Sequence, residues 1–141
     1  MEYQPVTIAI ADDHTLFRKG LLEILKFYSE VTVVADACNG AELIEKIEHH
    51  QLPEVVLLDL EMPEMDGIAT ARYMLSKYPA VKIVIVSMYG EEPLVQKLIK
   101  EGVHGYLMKN AEPEELRDAI QAVNRNGVYF SDALRNNPMP Y

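Results

Sequence analysis

Apolar positions along this chain switch between two periods. Val6 to Ala11 is a short, mostly apolar run that predicts a buried strand, and Phe17, Leu21, Ile24, Leu25 and Tyr28 then recur at helical spacing. Val31 to Ala37 predicts a second strand. Ala41 to His49 predicts a helix with Leu43, Ile44 and Ile47 inward. Val55 to Leu58 is the third strand, and Asp66-Gly67 opens a helix carrying Ile68, Ala71, Leu75 and Tyr78. Val81 to Val86 is the fourth strand. Leu94, Val95, Leu98 and Ile99 mark the next helix, which Gly102 ends. Gly105 to Met108 is the fifth strand. Pro113 suits a first helical turn, and Leu116, Ala119, Ile120 and Val123 line the last helix.

Five strands alternating with five helices imply an α/β fold, a doubly wound parallel sheet covered on both faces. Strands one, three and four are the most apolar and are expected at the centre. Residues 1–130 form the expected domain. Ser131 to Tyr141 ("SDALRNNPMPY") is polar, proline-bearing and aperiodic, and reads as a linker or tail.

In such a sheet, ligands bind outside the carboxyl ends of the strands. The first strand ends at Asp12 and Asp13, the third at Asp59, the fourth at Ser87 and the fifth at Lys109. Each has an ordinary explanation alone: Asp as a helix cap, Ser as a turn residue, Lys as a solvated surface group. Polar residues at four strand ends out of five are hard to explain that way together. Two carboxylates about 4 Å apart repel by roughly 4 kcal/mol at an effective dielectric near 20. Three such acids need cations, and Lys109 offsets only one charge. The donors are hard oxygens, so Mg²⁺ fits best. Carboxylate, hydroxyl, ammonium and metal together suit phosphoryl transfer, with Asp59 as nucleophile.

The 141 residues allow one domain with a sizeable core. A net charge of −9 argues against electrostatic binding of nucleic acid by this segment. No apolar stretch is long enough to cross a membrane, and no secretory leader pattern is seen. The single cysteine, Cys38, fits a packing role and a reducing, cytoplasmic compartment.

Residues 6 to about 130 resemble the receiver domain of two-component response regulators. The motifs are Asp12-Asp13, Asp59 with "LEMPEMDG", Ser87, and "GYLMK" ending in Lys109. The resemblance implies strand order 2-1-3-4-5, phosphoryl transfer from a sensor histidine kinase to Asp59, and slow autodephosphorylation. It implies Mg²⁺ held by Asp13, Asp59 and the Glu61 carbonyl, with Asp12 assisting. It implies a switch through Ser87 and Tyr106, and tuning of phosphoryl lifetime by Glu61 and Tyr89. "DDHTLFRKGL" and "GVYFSD" resemble the subfamily with a C-terminal LuxR-type helix-turn-helix. DNA binding is then expected only through a domain outside these residues. A homodimer could form through helices one and five or through the face of helices four and five.

Asn110 stands where many receivers have a proline after a cis bond, and Thr15 where the subfamily often has proline. His14 reads as the start of the first helix, His104 as a surface loop residue, and His49-His50 as a helix end. Three other readings compete. A haloacid-dehalogenase-like phosphatase would place its nucleophile after the first strand, with a second Asp two residues later; here Glu61 holds that later position. An interaction module without phosphorylation would not need the intact polar set. A stand-alone receiver would act through protein partners alone.

Overall fold

The computed structural model describes residues 4–60, 62, 66–88 and 92–130. Strands and helices alternate: β1 (Val6–Ala11), α1 (Thr15–Leu25), β2 (Val31–Ala37), α2 (Gly40–His49), β3 (Val55–Asp59), α3 (Gly67–Lys77), β4 (Lys82–Ser87), α4 (Glu92–Glu101), β5 (Gly105–Met108), α5 (Pro113–Asn126) and β6 (Tyr129–Phe130). The sheet order is β2-β1-β3-β4-β5-β6, and every pairing is parallel. The three most apolar strands, β1, β3 and β4, are central as expected.

Strand periodicity divides the core in two. Ile8, Ile10, Val55, Leu57, Val84, Val86 and Leu107 point to α1 and α5. Ala9, Ala11, Val56, Leu58, Ile83, Ile85 and Tyr106 point to α2, α3 and α4. Both faces are covered, so beyond Thr7 in β1 and Lys82 in β4 the central strands stay apolar until their carboxyl ends. The helices are stopped and started by short-range chemistry. Asn39 caps α2 by accepting the Glu42 N–H at 2.8 Å, and the Glu42 carboxylate accepts the Cys38 N–H at 2.6 Å. Tyr28, expected on the first helix, packs just beyond its end.

β6 goes beyond the five expected strands. Gly127 ends α5 with φ 89°, a left-handed conformation that suits glycine, and turns the chain back to the sheet. Tyr129 then donates its N–H to the His104 carbonyl at 2.9 Å. Gly105 makes room, because a Cβ there would lie 2.8 Å from the Tyr129 carbonyl oxygen. His104 departs from the surface assignment: it is half-buried, and its Nδ1 accepts the Ile83 N–H at 2.9 Å. Burial, helped by nearby Lys82, pushes its pKa down and favours the neutral ring that this hydrogen bond needs.

Between α2 and α3, the Glu48 carboxylate accepts from Tyr78 at 2.5 Å, Tyr73 at 2.7 Å and Lys77 at 2.9 Å. The Tyr78 hydroxyl, then Lys77 and Tyr73, hold its pKa down from 4.5 to about 2. The folded chain thus binds a proton less readily than the unfolded one. The resulting stabilisation is complete above pH 4.5 and disappears as pH falls toward 2. Glu48→Gln is expected to melt below the native chain at neutral pH. The gap should narrow steadily below pH 4.5 in a series of thermal melts; a constant gap contradicts the charge effect.

Candidate functional site

The carboxyl ends of β1, β3, β4 and β5 meet on one rim. Oxygens of Asp12, Asp13 and Asp59 all lie within 4.8 Å of one another. Asp12 and Asp59 are buried, at 2% and 5% exposure, whereas Asp13 is exposed. The apolar strands carry the first two into the interior, and the adjoining loop leaves the third open to solvent.

Lys109 reaches the cluster from just beyond β5. Its Nζ lies 2.9 Å from Asp12 Oδ2 and 3.5 Å from Asp59 Oδ2, and its side chain is only 7% exposed. Three carboxylates against one ammonium leave two formal negative charges in a space a few ångströms wide. Hard oxygen donors in that number, with one acid open to water, fit Mg²⁺, which keeps several water ligands. Asp12, Asp13 and Asp59 would hold the ion, which would supply positive charge to a phosphoryl group.

The remaining residues fall into place unevenly. Asp59 pairs with Val86 in register, so Ser87 stands one residue further out on the neighbouring strand. Ser87 is buried, and its carbonyl accepts the Lys109 N–H at 2.8 Å, which ties the ends of β4 and β5 together. Tyr106 is 2% exposed and packs inward among the residues facing α2, α3 and α4. Glu61 and Tyr89 lie outside the described residues, as do residues 131–141. No cis peptide bond occurs among the described residues, so Lys109-Asn110 is trans.

Two supports for the site carry no obvious mark in the sequence. Arg18 donates from Nη1 to the Asp12 carbonyl at 2.7 Å, and its Nε meets Asp36 Oδ2 at 3.2 Å. It therefore ties the end of β1 to β2. Phe17 places its ring 4.8 Å from Lys109 Nζ. Helical spacing marks Phe17 only as an inward apolar position. The clue to Arg18 was its place one residue later, on the turn of α1 nearest the acid pair.

Gly67 fixes the loop after β3. Its N–H donates to the Leu60 carbonyl at 3.1 Å, while Asp66 caps α3 by accepting the Ala69 N–H at 2.9 Å. A Cβ at residue 67 would fall on the Asp59 carbonyl oxygen and lie 2.5 Å from Leu60 Cα. Backbone cannot yield as a flexible side chain can. Gly67→Ala is expected to cost about 3 kcal/mol in urea denaturation, the upper part of the overpacking range. A loss below about 0.5 kcal/mol, within the range of ordinary surface changes, would show that α3 can retreat freely.

Comparison with known proteins places this geometry. The family pattern for the "Response regulator receiver domain" matches residues 8–121. The transcriptional regulatory protein DegU of Brevibacillus brevis is 35% identical over 132 residues, covering 94% of this chain and 56% of DegU. The nitrate/nitrite response regulator protein NarL of Escherichia coli K12 is 36% identical over 131 residues, covering 93% of this chain and 60% of NarL. The chain therefore spans a little over half the length of these curated relatives. The solved signal receiver domain of the putative response regulator NarL from Mycobacterium tuberculosis aligns with TM-score 0.80 and 33% identity, covering 86% of this chain and 98% of that one.

Proposed function

This chain belongs to the response regulator receiver domain family, and on that premise we propose that Asp59 is the phosphoryl acceptor. A carboxylate oxygen of Asp59 attacks phosphorus as the P–N bond of a phosphohistidine breaks, which leaves an aspartyl phosphate and frees the imidazole. Lys109, already between Asp12 and Asp59, pairs with charge on the transferred group. Ser87 donates its hydroxyl to a phosphoryl oxygen. Mg²⁺, held by Asp13, Asp59 and the Glu61 carbonyl with help from Asp12, would neutralise further charge. The observation that carries this reading is the ammonium of Lys109 seated between two buried acids, with a third acid within 4.8 Å.

Slow hydrolysis of the aspartyl phosphate returns the domain to its starting state, and Glu61 and Tyr89 set its lifetime. Ser87 and Tyr106 carry the switch. Tyr106 is a suitable lever because it sits on the strand beside Ser87 and packs toward the helices on that face. The domain acts in the cytoplasm, its donor is a sensor histidine kinase, and phosphorylation promotes a homodimer. The output is transcription, through a DNA-binding domain outside residues 1–130. This output is supported by the DegU relative, which is named a transcriptional regulatory protein and extends well beyond the aligned region. Among the described residues, no helix is long and apolar enough to cross a membrane.

The test is incubation with acetyl phosphate and Mg²⁺, followed by intact mass and peptide mapping. One base-labile phosphoryl group on Asp59, formed only when Mg²⁺ is present during the incubation, is expected. Sustained release of phosphate from small phosphomonoesters, or label on another residue, would sink the reading.

A further inference from the structure

We propose that Phe17 is a positioning residue for this site: the face of its ring holds the Lys109 ammonium where it meets Asp59. The inference rests on Asp59 being the phosphoryl acceptor. Its basis is geometric. Nζ lies 4.8 Å from the ring centroid, inside the range of about 6 Å over which a cation is drawn to an aromatic face. The Lys109 side chain is almost wholly buried, and desolvated contacts of this kind are the strong ones.

An ammonium has three N–H donors and a single compact charge. Asp12 and Asp59 lie in two directions around Nζ. The ring of Phe17 adds negative electrostatic potential without adding an oxygen acceptor. Another carboxylate or a carbonyl there would compete with a phosphoryl oxygen for the same donors, and the ring does not. Lys109 is thus held firmly enough to be placed, yet keeps its hydrogen-bonding capacity for the transferred group.

Core packing is the simpler role for an inward aromatic residue on α1. Phe17 does pack against the core facing α1 and α5, and it lines a recess with Gly20, Leu21, Leu107 and Lys109. Packing, however, depends on shape, whereas attraction to a cation depends on the ring's electron density. His14 also stacks on Phe17, with ring centroids 6.4 Å apart. All variants are therefore compared with the native chain at one pH.

The experiment replaces Phe17 with phenylalanines carrying successively more fluorine, beside Phe17→Tyr and Phe17→Leu. Labelling by acetyl phosphate is timed at saturating Mg²⁺, and melting temperature is recorded for each protein. The logarithm of the rate should fall in proportion to the lost ring potential, reaching about tenfold for the fully fluorinated ring and for leucine. Tyrosine should stay within about twofold, and leucine, which loses packing as well as ring potential, should fall furthest in melting temperature without labelling more slowly than the fully fluorinated ring. A flat series in which the native chain still labels normally overturns the positioning role, as does a rate loss that follows melting temperature instead of ring potential. If the native chain takes no label on Asp59, the phosphoacceptor reading fails first and the role of Phe17 falls with it.

Discussion

Asp59→Asn takes up no phosphoryl group from acetyl phosphate, yet it melts at a higher temperature than the native chain in metal-free buffer. Both outcomes follow from one property of the site. Asparagine has no carboxylate oxygen to attack phosphorus, so labelling falls to background. The same substitution removes a buried negative charge from beside two others, with oxygens within 4.8 Å. Lys109, 3.5 Å from Asp59, recovers part of that repulsion but is also engaged by Asp12 at 2.9 Å. At an effective dielectric near 20, the balance left for Asp59 is a net repulsion of about 2 kcal/mol or more. Its relief should raise the melting temperature by several degrees for a domain of this size. Adding Mg²⁺ should stabilise the native chain more than the variant, because a ligand stabilises in proportion to its binding to the folded state. Scanning calorimetry with and without metal checks this. A variant less stable than the native chain in both buffers would show that Asp59 is held by favourable contacts, not strained by its neighbours.

This conflict between stability and chemistry also explains what the sequence could reveal. A chain folding only for stability would not end two central strands in acids. Asp12 and Asp59 therefore stood out against the apolar runs before them, and the strand-end rule brought Ser87 and Lys109 to the same rim. The central place of these strands was legible because Val55 to Leu58 and Ile83 to Val86 carry apolar residues on both faces, whereas their order came only with the family resemblance. β6 was not legible, since two residues are too few to show any period. It depends instead on the turn at Gly127 and the small size of Gly105. Gly67 was legible as a helix start but not as the point where α3 meets the backbone of Asp59. Arg18 acts through a backbone carbonyl, and Phe17 through the face of its ring. Neither interaction leaves a residue-spacing signature. His104 looked like a surface residue because its role is to accept a single N–H from a strand far away in sequence.

Lys109→Met is expected to do the opposite of Asp59→Asn in metal-free buffer and to slow labelling severely. Methionine fills much of the same space, so packing changes little and the effect is mainly electrostatic. Asp12 and Asp59 are then left buried with their shared counter-ion removed. Breaking one side of a buried ion pair costs about 3–5 kcal/mol. The upper end of that range applies only if no other cation arrives. Mg²⁺ can take over part of the neutralisation, so the variant should recover more stability on adding metal than the native chain gains. Labelling is a different matter. A metal ion carries charge but, unlike the Nζ ammonium, has no N–H to donate. Loss of one preorganised donor typically costs about 10²–10³ in rate, and Mg²⁺ should not restore it. Urea denaturation and acetyl phosphate labelling across one Mg²⁺ titration separate the two effects. Recovery of stability without recovery of rate is the expected pair. If metal restores both, Lys109 serves only to balance charge. If it restores neither, the acids do not form the metal site, and the placement of Mg²⁺ at Asp12, Asp13 and Asp59 is wrong.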